Sequence, residues 1–149
     1  MNASPLIFLT HLGLLEVLDE PGVPVVVPDR VIAEIGARGA SDPTVIAVGA
    51  AAWIQVVPTP PIPKAVSDWG LDLGESAVLA VALEQPGSQA ILDDLDARRC
   101  AASLRVPTQG TLGLMVVAKQ LGLVPAVRPL LDRLRQAGFY VPGSWRSRC

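Results

Sequence analysis

The chain has 149 residues, with 14 acidic and 12 basic side chains, one His and 50% hydrophobic residues, which fits one globular domain and excludes a mostly disordered chain. A formal net charge of −2 excludes nucleic-acid binding by bulk positive charge, so any such contact must be local. Only Cys100, Cys149 and His11 offer a thiol or imidazole; a disulfide framework, a four-thiolate zinc site and a His-rich centre are excluded, and any metal is expected on oxygen ligands.

The longest uncharged stretch, from Pro43 to Pro63, loses its apolar character near Val57 and then meets Pro58, Pro60, Pro61 and Pro63. Too few continuous apolar residues remain to cross about 30 Å of hydrocarbon, so no membrane partner is expected. Met1-Asn2-Ala3-Ser4 lacks the basic flank of a signal peptide, and a reduced, cytoplasmic location is the expectation.

In chain order, apolar residues from Pro5 to Leu18 recur at three- and four-residue spacing, with Ser4 as N-cap and Pro5 in the first turn, which predicts a helix. Glu20-Pro21-Gly22 breaks it. The β-branched run between Pro24 and Pro28 predicts a buried strand, followed by a helix capped by Asp29 and carrying Val31, Ile32 and Ile35 until Gly36 and Gly39. Asp42 to Ala52 reads as a helix, Trp53 to Val57 as a strand and Pro58 to Pro63 as an extended connection. The run Glu75 to Leu83 is apolar nearly all round and predicts a buried helix. Gln89 to Leu92 predicts a strand ending in Asp93-Asp94. A helix with Arg98, Arg99 and Arg105 on or near it follows, then a strand at Val106–Thr108. Helices from Gly110 to about Lys119 and from Val127 to Ala137 come next, with a last strand at Phe139–Val141. Alternating short strands and helices predict an α/β fold, a central parallel sheet with helices on both faces.

Ligands of parallel α/β sheets bind outside the carboxyl ends of the strands. Asp93 and Asp94 follow a strand directly, Glu75 starts the buried helix after Gly74, and Asn2 precedes the first helix. Glu34 lies on or beside the apolar stripe of its helix, where a carboxylate costs several kcal/mol unless compensated. Converging carboxylates repel and take up protons, whereas Mg²⁺ or Mn²⁺ is held by such oxygens. Each acid also has a plain structural reading. Glu75 suits a helix macrodipole, Asp93 or Asp94 suits a helix cap, and a helical Glu34 commonly reaches water.

Five pieces of the sequence together resemble the PIN-domain superfamily, and more closely a prokaryotic PIN-like subgroup predicted to bind nucleic acid. They are Asn2-Ala3-Ser4-Pro5-Leu6-Ile7, Val31-Ile32-Ala33-Glu34-Ile35, Leu71-Asp72-Leu73-Gly74-Glu75-Ser76-Ala77, Ile91-Leu92-Asp93-Asp94 with Ala97-Arg98-Arg99, and Gly110-Thr111-Leu112-Gly113. The resemblance covers almost the whole chain and implies a three-layer α/β/α sandwich with a metal-dependent ribonuclease site, as in toxins of toxin–antitoxin pairs. It carries the metal-binding positions onto Asn2, Glu34, Glu75 and Asp94, with Asp93 as a further catalytic candidate. Ser4, Arg98 and Thr111 become candidates for substrate contact, Arg98 also reading as a solvated helix face and Thr111 as a helix cap. The implied chemistry is hydrolysis of an RNA phosphodiester with Mg²⁺ or Mn²⁺.

The resemblance also implies a central strand running up to Asn2, where only Met1 stands. A chain start several residues upstream is expected, or some other filling of that gap. An antitoxin protein and a homodimer are the expected protein partners. The competing readings are a PIN-fold module that binds RNA or protein without cutting, and a receiver-like domain. The latter needs a late strand-end Lys, whereas Lys119 falls inside a helix.

Overall fold

The structure is a computed structural model that describes residues 1–148, so Cys149 lies outside the described residues. Its elements are α1 (Ala3–Leu12), a 3-10 helix (Leu15–Leu18), β1 (Val25–Pro28), α2 (Asp29–Gly36), α3 (Pro43–Ala50), β2 (Ile54–Val57) and α4 (Lys64–Ser67). Then follow α5 (Leu73–Glu84), β3 (Ala90–Ile91), α6 (Leu95–Ser103), β4 (Thr108–Gln109), α7 (Thr111–Gln120), α8 (Arg128–Gln136) and α9 (Gly143–Arg146). Strands and helices alternate through most of the chain and every strand pairing is parallel, the α/β arrangement the pattern predicts.

The sheet is built in two halves. β1 pairs with β2, from Val25 opposite Ile54 to Pro28 opposite Val57, and β3 pairs with β4, Ala90 opposite Thr108 and Ile91 opposite Gln109. The start of the chain stands between them. Met1's amino group donates to the Val26 carbonyl at 2.9 Å, and Asn2's N–H donates to the Ile91 carbonyl at 3.1 Å. Successive donors pointing to opposite sides are the habit of a strand, so Met1 and Asn2 bridge the two halves. Burial pulls the Met1 amine down from its ordinary value to about 5.

Helices close over this framework. α5 reaches both halves, touching β1 and β3, while α1 packs against α2, α3, α7 and α8. The core is aliphatic, with Leu6, Leu9, Leu79, Leu92, Met115 and Leu131 fully buried, as expected from 4% aromatic residues. α5 is sealed from Gly74 to Val81, which explains why its sequence is apolar on nearly every face. Among the described residues no helix is long and apolar enough to cross a membrane.

Several element expectations need correction. The first helix stops at Leu12 because Gly13 takes left-handed backbone (φ 68), a conformation free of Cβ strain, and Leu14 N–H folds back onto the Leu9 carbonyl at 2.8 Å. Its N-cap position is occupied by Asn2, so Ser4 and Pro5 lie inside the helix. Asp29 is likewise the first residue of α2, with Pro28 at the cap position. The strand expected at Val106–Thr108 moves to Thr108–Gln109, since Arg105 turns with φ 58 and Val106 N–H closes α6 on the Ala101 carbonyl at 2.9 Å. No strand forms at Phe139–Val141 among the described residues. Phe139 instead packs its ring edge-on against Phe8 at 5.2 Å.

Candidate metal centre

Three helix starts meet where the Met1–Asn2 bridge ends. Asn2 sits at the N-cap position of α1, Asp72 at that of α5 and Asp94 at that of α6. β1 and β3 lead into α2 and α6, so the carboxyl ends of the strands face the same place, the usual ligand crevice of a parallel sheet.

Gly74 marks the centre of the cradle. A Cβ on Gly74 would lie 2.6 Å from Glu34 Oε2, 3.0 Å from Asn2 Oδ1 and 3.5 Å from Asp72 Oδ1. Oxygens of Glu34, Asn2 and Asp72 therefore crowd the space a side chain would need at this position, and any Cβ there would displace the Glu34 carboxylate. Helix α2 supplies Glu34 by packing against α5, with Val31 and Ile35 buried beneath it. Glu34 itself is exposed by area, the water-reaching one of the two placements its position on or beside the stripe allows. It stands on the edge of the stripe with its tip over Gly74.

Glu75 is 9% exposed and its carboxyl is pushed up to about 7. Burial is the main cause, followed by the negative charges of Asp72 and Asp94 and then, more weakly, Glu34. Glu34 is raised as well, by burial and by Asp72. No lysine or arginine figures among the charges acting on either glutamate. Asn2, 6% exposed, adds a second sign of an incomplete site: among the described residues its Oδ1 has no hydrogen-bond partner. A buried acceptor left alone costs about 1–3 kcal/mol.

Asp72 is the member that the sequence reading passes over. Its side chain accepts from Glu75 N–H at 2.8 Å while its own N–H donates to Glu75 Oε2 at 3.4 Å, forming a capping box. The spacing Asp-x-x-Glu just before an apolar run is the sequence signature of that motif, so Asp72 could have been found from it. Asp94 caps α6 by accepting from Ala97 N–H at 2.8 Å and still acts on Glu75 through its charge.

Asp93 is spent differently. It accepts from Thr111 N–H at 2.7 Å and from the Thr111 hydroxyl at 2.6 Å, which ties the start of α7 to the end of β3. Its carboxyl is raised by burial, while the Thr111 bonds and the Arg98 charge pull the other way. Arg98 leans over the same spot, its Nη1 3.5 Å from where a Gly110 Cβ would stand. Thr111 is fully buried. These three form a brace beside the acid cradle. Ser4 is half-buried in the first turn of α1.

The donor set is all oxygen and carries several carboxylates, which suits a hard divalent cation rather than zinc or copper. The orphaned Asn2 oxygen and the mutual strain of the acids both fit such an ion. As the side chains are placed, no three of the His, Cys, Asp and Glu groups among the described residues stand close enough together to hold one, so ion binding requires the carboxylates to draw inward.

A parallel α/β/α sandwich with acids gathered at its strand ends is the architecture of a PIN domain, and a family model described as a PIN domain matches residues 1–148. The chain belongs to that family, DUF3368. No curated protein and no solved structure is significantly similar to it.

Proposed function

We propose that this protein is a divalent-metal-dependent ribonuclease that hydrolyses phosphodiester bonds in RNA. The observation that carries the reading is the approach of Glu34, Asn2 and Asp72 oxygens to the Gly74 position, with the charges of Asp72, Asp94 and Glu34 acting on Glu75 and no lysine or arginine among the charges acting on Glu34 or Glu75. Family membership adds a fold of nuclease type. Asn2, Glu34, Glu75 and Asp94 would hold Mg²⁺ or Mn²⁺, and Asp72 would orient Glu75 through the capping box. When bound, the ion supplies Lewis-acid activation of water and of the scissile phosphate. The chain's own part is to gather Asn2, Glu75 and Asp94 at three helix N-termini, whose partial positive charge also favours a phosphate, with Glu34 reaching over from α2. Asp93, Thr111 and Arg98 hold the α6 and α7 starts in place, which makes them positioning residues in this account.

Neutral Asn2 and the spread of the acids support a second reading, a PIN-fold module that binds RNA or protein without cutting it. The test is cleavage of single-stranded RNA with Mn²⁺ by the wild-type chain and by the Glu34→Gln and Asp94→Asn variants. The nuclease reading expects activity that falls about a hundredfold or more in either variant. Equal activity in all three would overturn it, and RNA binding without cleavage by the wild type would favour the second reading.

A further inference from the structure

Charge is spread unevenly along the chain. Beyond Val127 stand five arginines, Arg128, Arg133, Arg135, Arg146 and Arg148, against one acidic side chain, Asp132, whereas the rest of the chain holds thirteen acidic and seven basic side chains. All five arginines are exposed. Helix α8 turns Leu130, Leu131 and Leu134 into the core, so Arg128 and Arg135, two turns and about 10 Å apart, share its outward side, with Arg133 flanking them. Arg146 pairs with Asp132, which ties α9 to α8 and neutralises the one acid. Among the described residues Arg128, Arg133 and Arg135 have no ion pair. Tyr140, just past the end of α8, is 83% exposed. Its surroundings are anchored: Phe139 packs edge-on against Phe8 and His11, and Val141 and Trp145 are buried.

We infer that the outward side of α8, with the segment that leads into α9, is a docking surface for single-stranded RNA, the arginines gripping phosphates and Tyr140 stacking on an unpaired base. Guanidinium groups match phosphate oxygens two at a time, and an exposed aromatic beside a cationic track is the arrangement that holds single strands without reading their sequence. The same helix argues against a membrane: its leucines are spent in the core, and no apolar side remains to enter a bilayer. The acid cradle cannot serve as the grip, because no lysine or arginine figures among the charges acting on Glu34 or Glu75 and a polyanion is repelled there. A substrate of that charge needs its hold elsewhere, and α8 packs on α1, the helix that starts from Asn2. A net-negative chain can bind RNA only through such a local concentration of charge. The choice of RNA as the occupant rests on the ribonuclease reading; the cationic face itself does not.

The test is binding of a labelled single-stranded RNA of about 16 nucleotides to the full chain in EDTA, followed by fluorescence anisotropy over a range of salt. Replacing two charges on the face, Arg128→Gln with Arg135→Gln, should weaken binding about tenfold or more and flatten the plot of log affinity against log salt by about 1.4. Tyr140→Ala should weaken it about fivefold with the slope unchanged. Arg38→Gln with Lys64→Gln removes the same charge from elsewhere on the surface and should stay within about twofold of the wild type. Equal losses in the two double variants, or no loss in the first, would overturn the inference. Displacement of the RNA by phosphatidylserine vesicles that bind the wild type but not the first double variant would overturn it too, assigning the face to a lipid surface. EDTA keeps this outcome apart from cleavage. RNA held by this face but never cut in Mn²⁺ contradicts the ribonuclease reading alone, whereas RNA cut in Mn²⁺ yet bound independently of α8 contradicts the docking surface alone.

Discussion

Asp93 and Asp94 are adjacent in sequence and have separate duties. Asp93 gives both oxygens to Thr111 at 2.7 and 2.6 Å, whereas Asp94 caps α6 through one oxygen at 2.8 Å and adds negative charge beside Glu75. Asp93→Ala therefore leaves the buried Thr111 hydroxyl and N–H without their acceptor and should cost about 2–3 kcal/mol in urea unfolding. Asp94→Asn keeps a good capping side chain and should change stability by less than about 0.5 kcal/mol. Equal losses in the two variants would contradict this division of labour. The sequence names both aspartates but cannot separate them, because the separation depends on Thr111, eighteen positions further on, reaching back to only one of the two.

At the scale of the element, the first turn of α5 carries the site's electrostatic strain. Glu75 titrates near 7 in the folded chain, above its ordinary carboxylate value, so the folded state holds the proton more tightly than the unfolded one. Its contribution is favourable below the unfolded pKa and is lost as the pH rises through about 7. The Met1 amine, lowered to about 5, works in the opposite sense, so the informative quantity is a difference between variants. In EDTA, Glu75→Gln should gain in melting temperature relative to the wild type between pH 5 and pH 8; a constant gap would show that Glu75 does not titrate in that range. α5 was legible in the sequence as a buried apolar run, and its Asp72 cap was available in the Asp-x-x-Glu spacing. The short pieces were harder to read. β3 and β4 are two residues each, too short for any alternation to register, and α4 is four residues anchored by buried Val66. Phe139–Val141 has a strand's composition, but its ring found Phe8 and His11 to pack on.

For the whole molecule, the layered α/β arrangement follows from the alternation of elements, and the place of the site follows from the strand ends. What the sequence could not give is how Met1 and Asn2 join the two halves of the sheet, because two backbone hydrogen bonds from them to distant strands leave no residue pattern. Nor could it fix the cradle around Gly74, where Glu34, Asn2 and Asp72 oxygens crowd the position a Cβ would take. The central claim is that those oxygens share a divalent ion. Mn²⁺ binding measured by calorimetry on the wild-type, Glu34→Gln and Gly74→Ala chains tests it most directly, since the added methyl would stand 2.6 Å from Glu34 Oε2 and push that carboxylate outward. The account predicts one saturable site in the wild type, weakened about tenfold or more in both variants, while identical Mn²⁺ affinity in all three chains would contradict it.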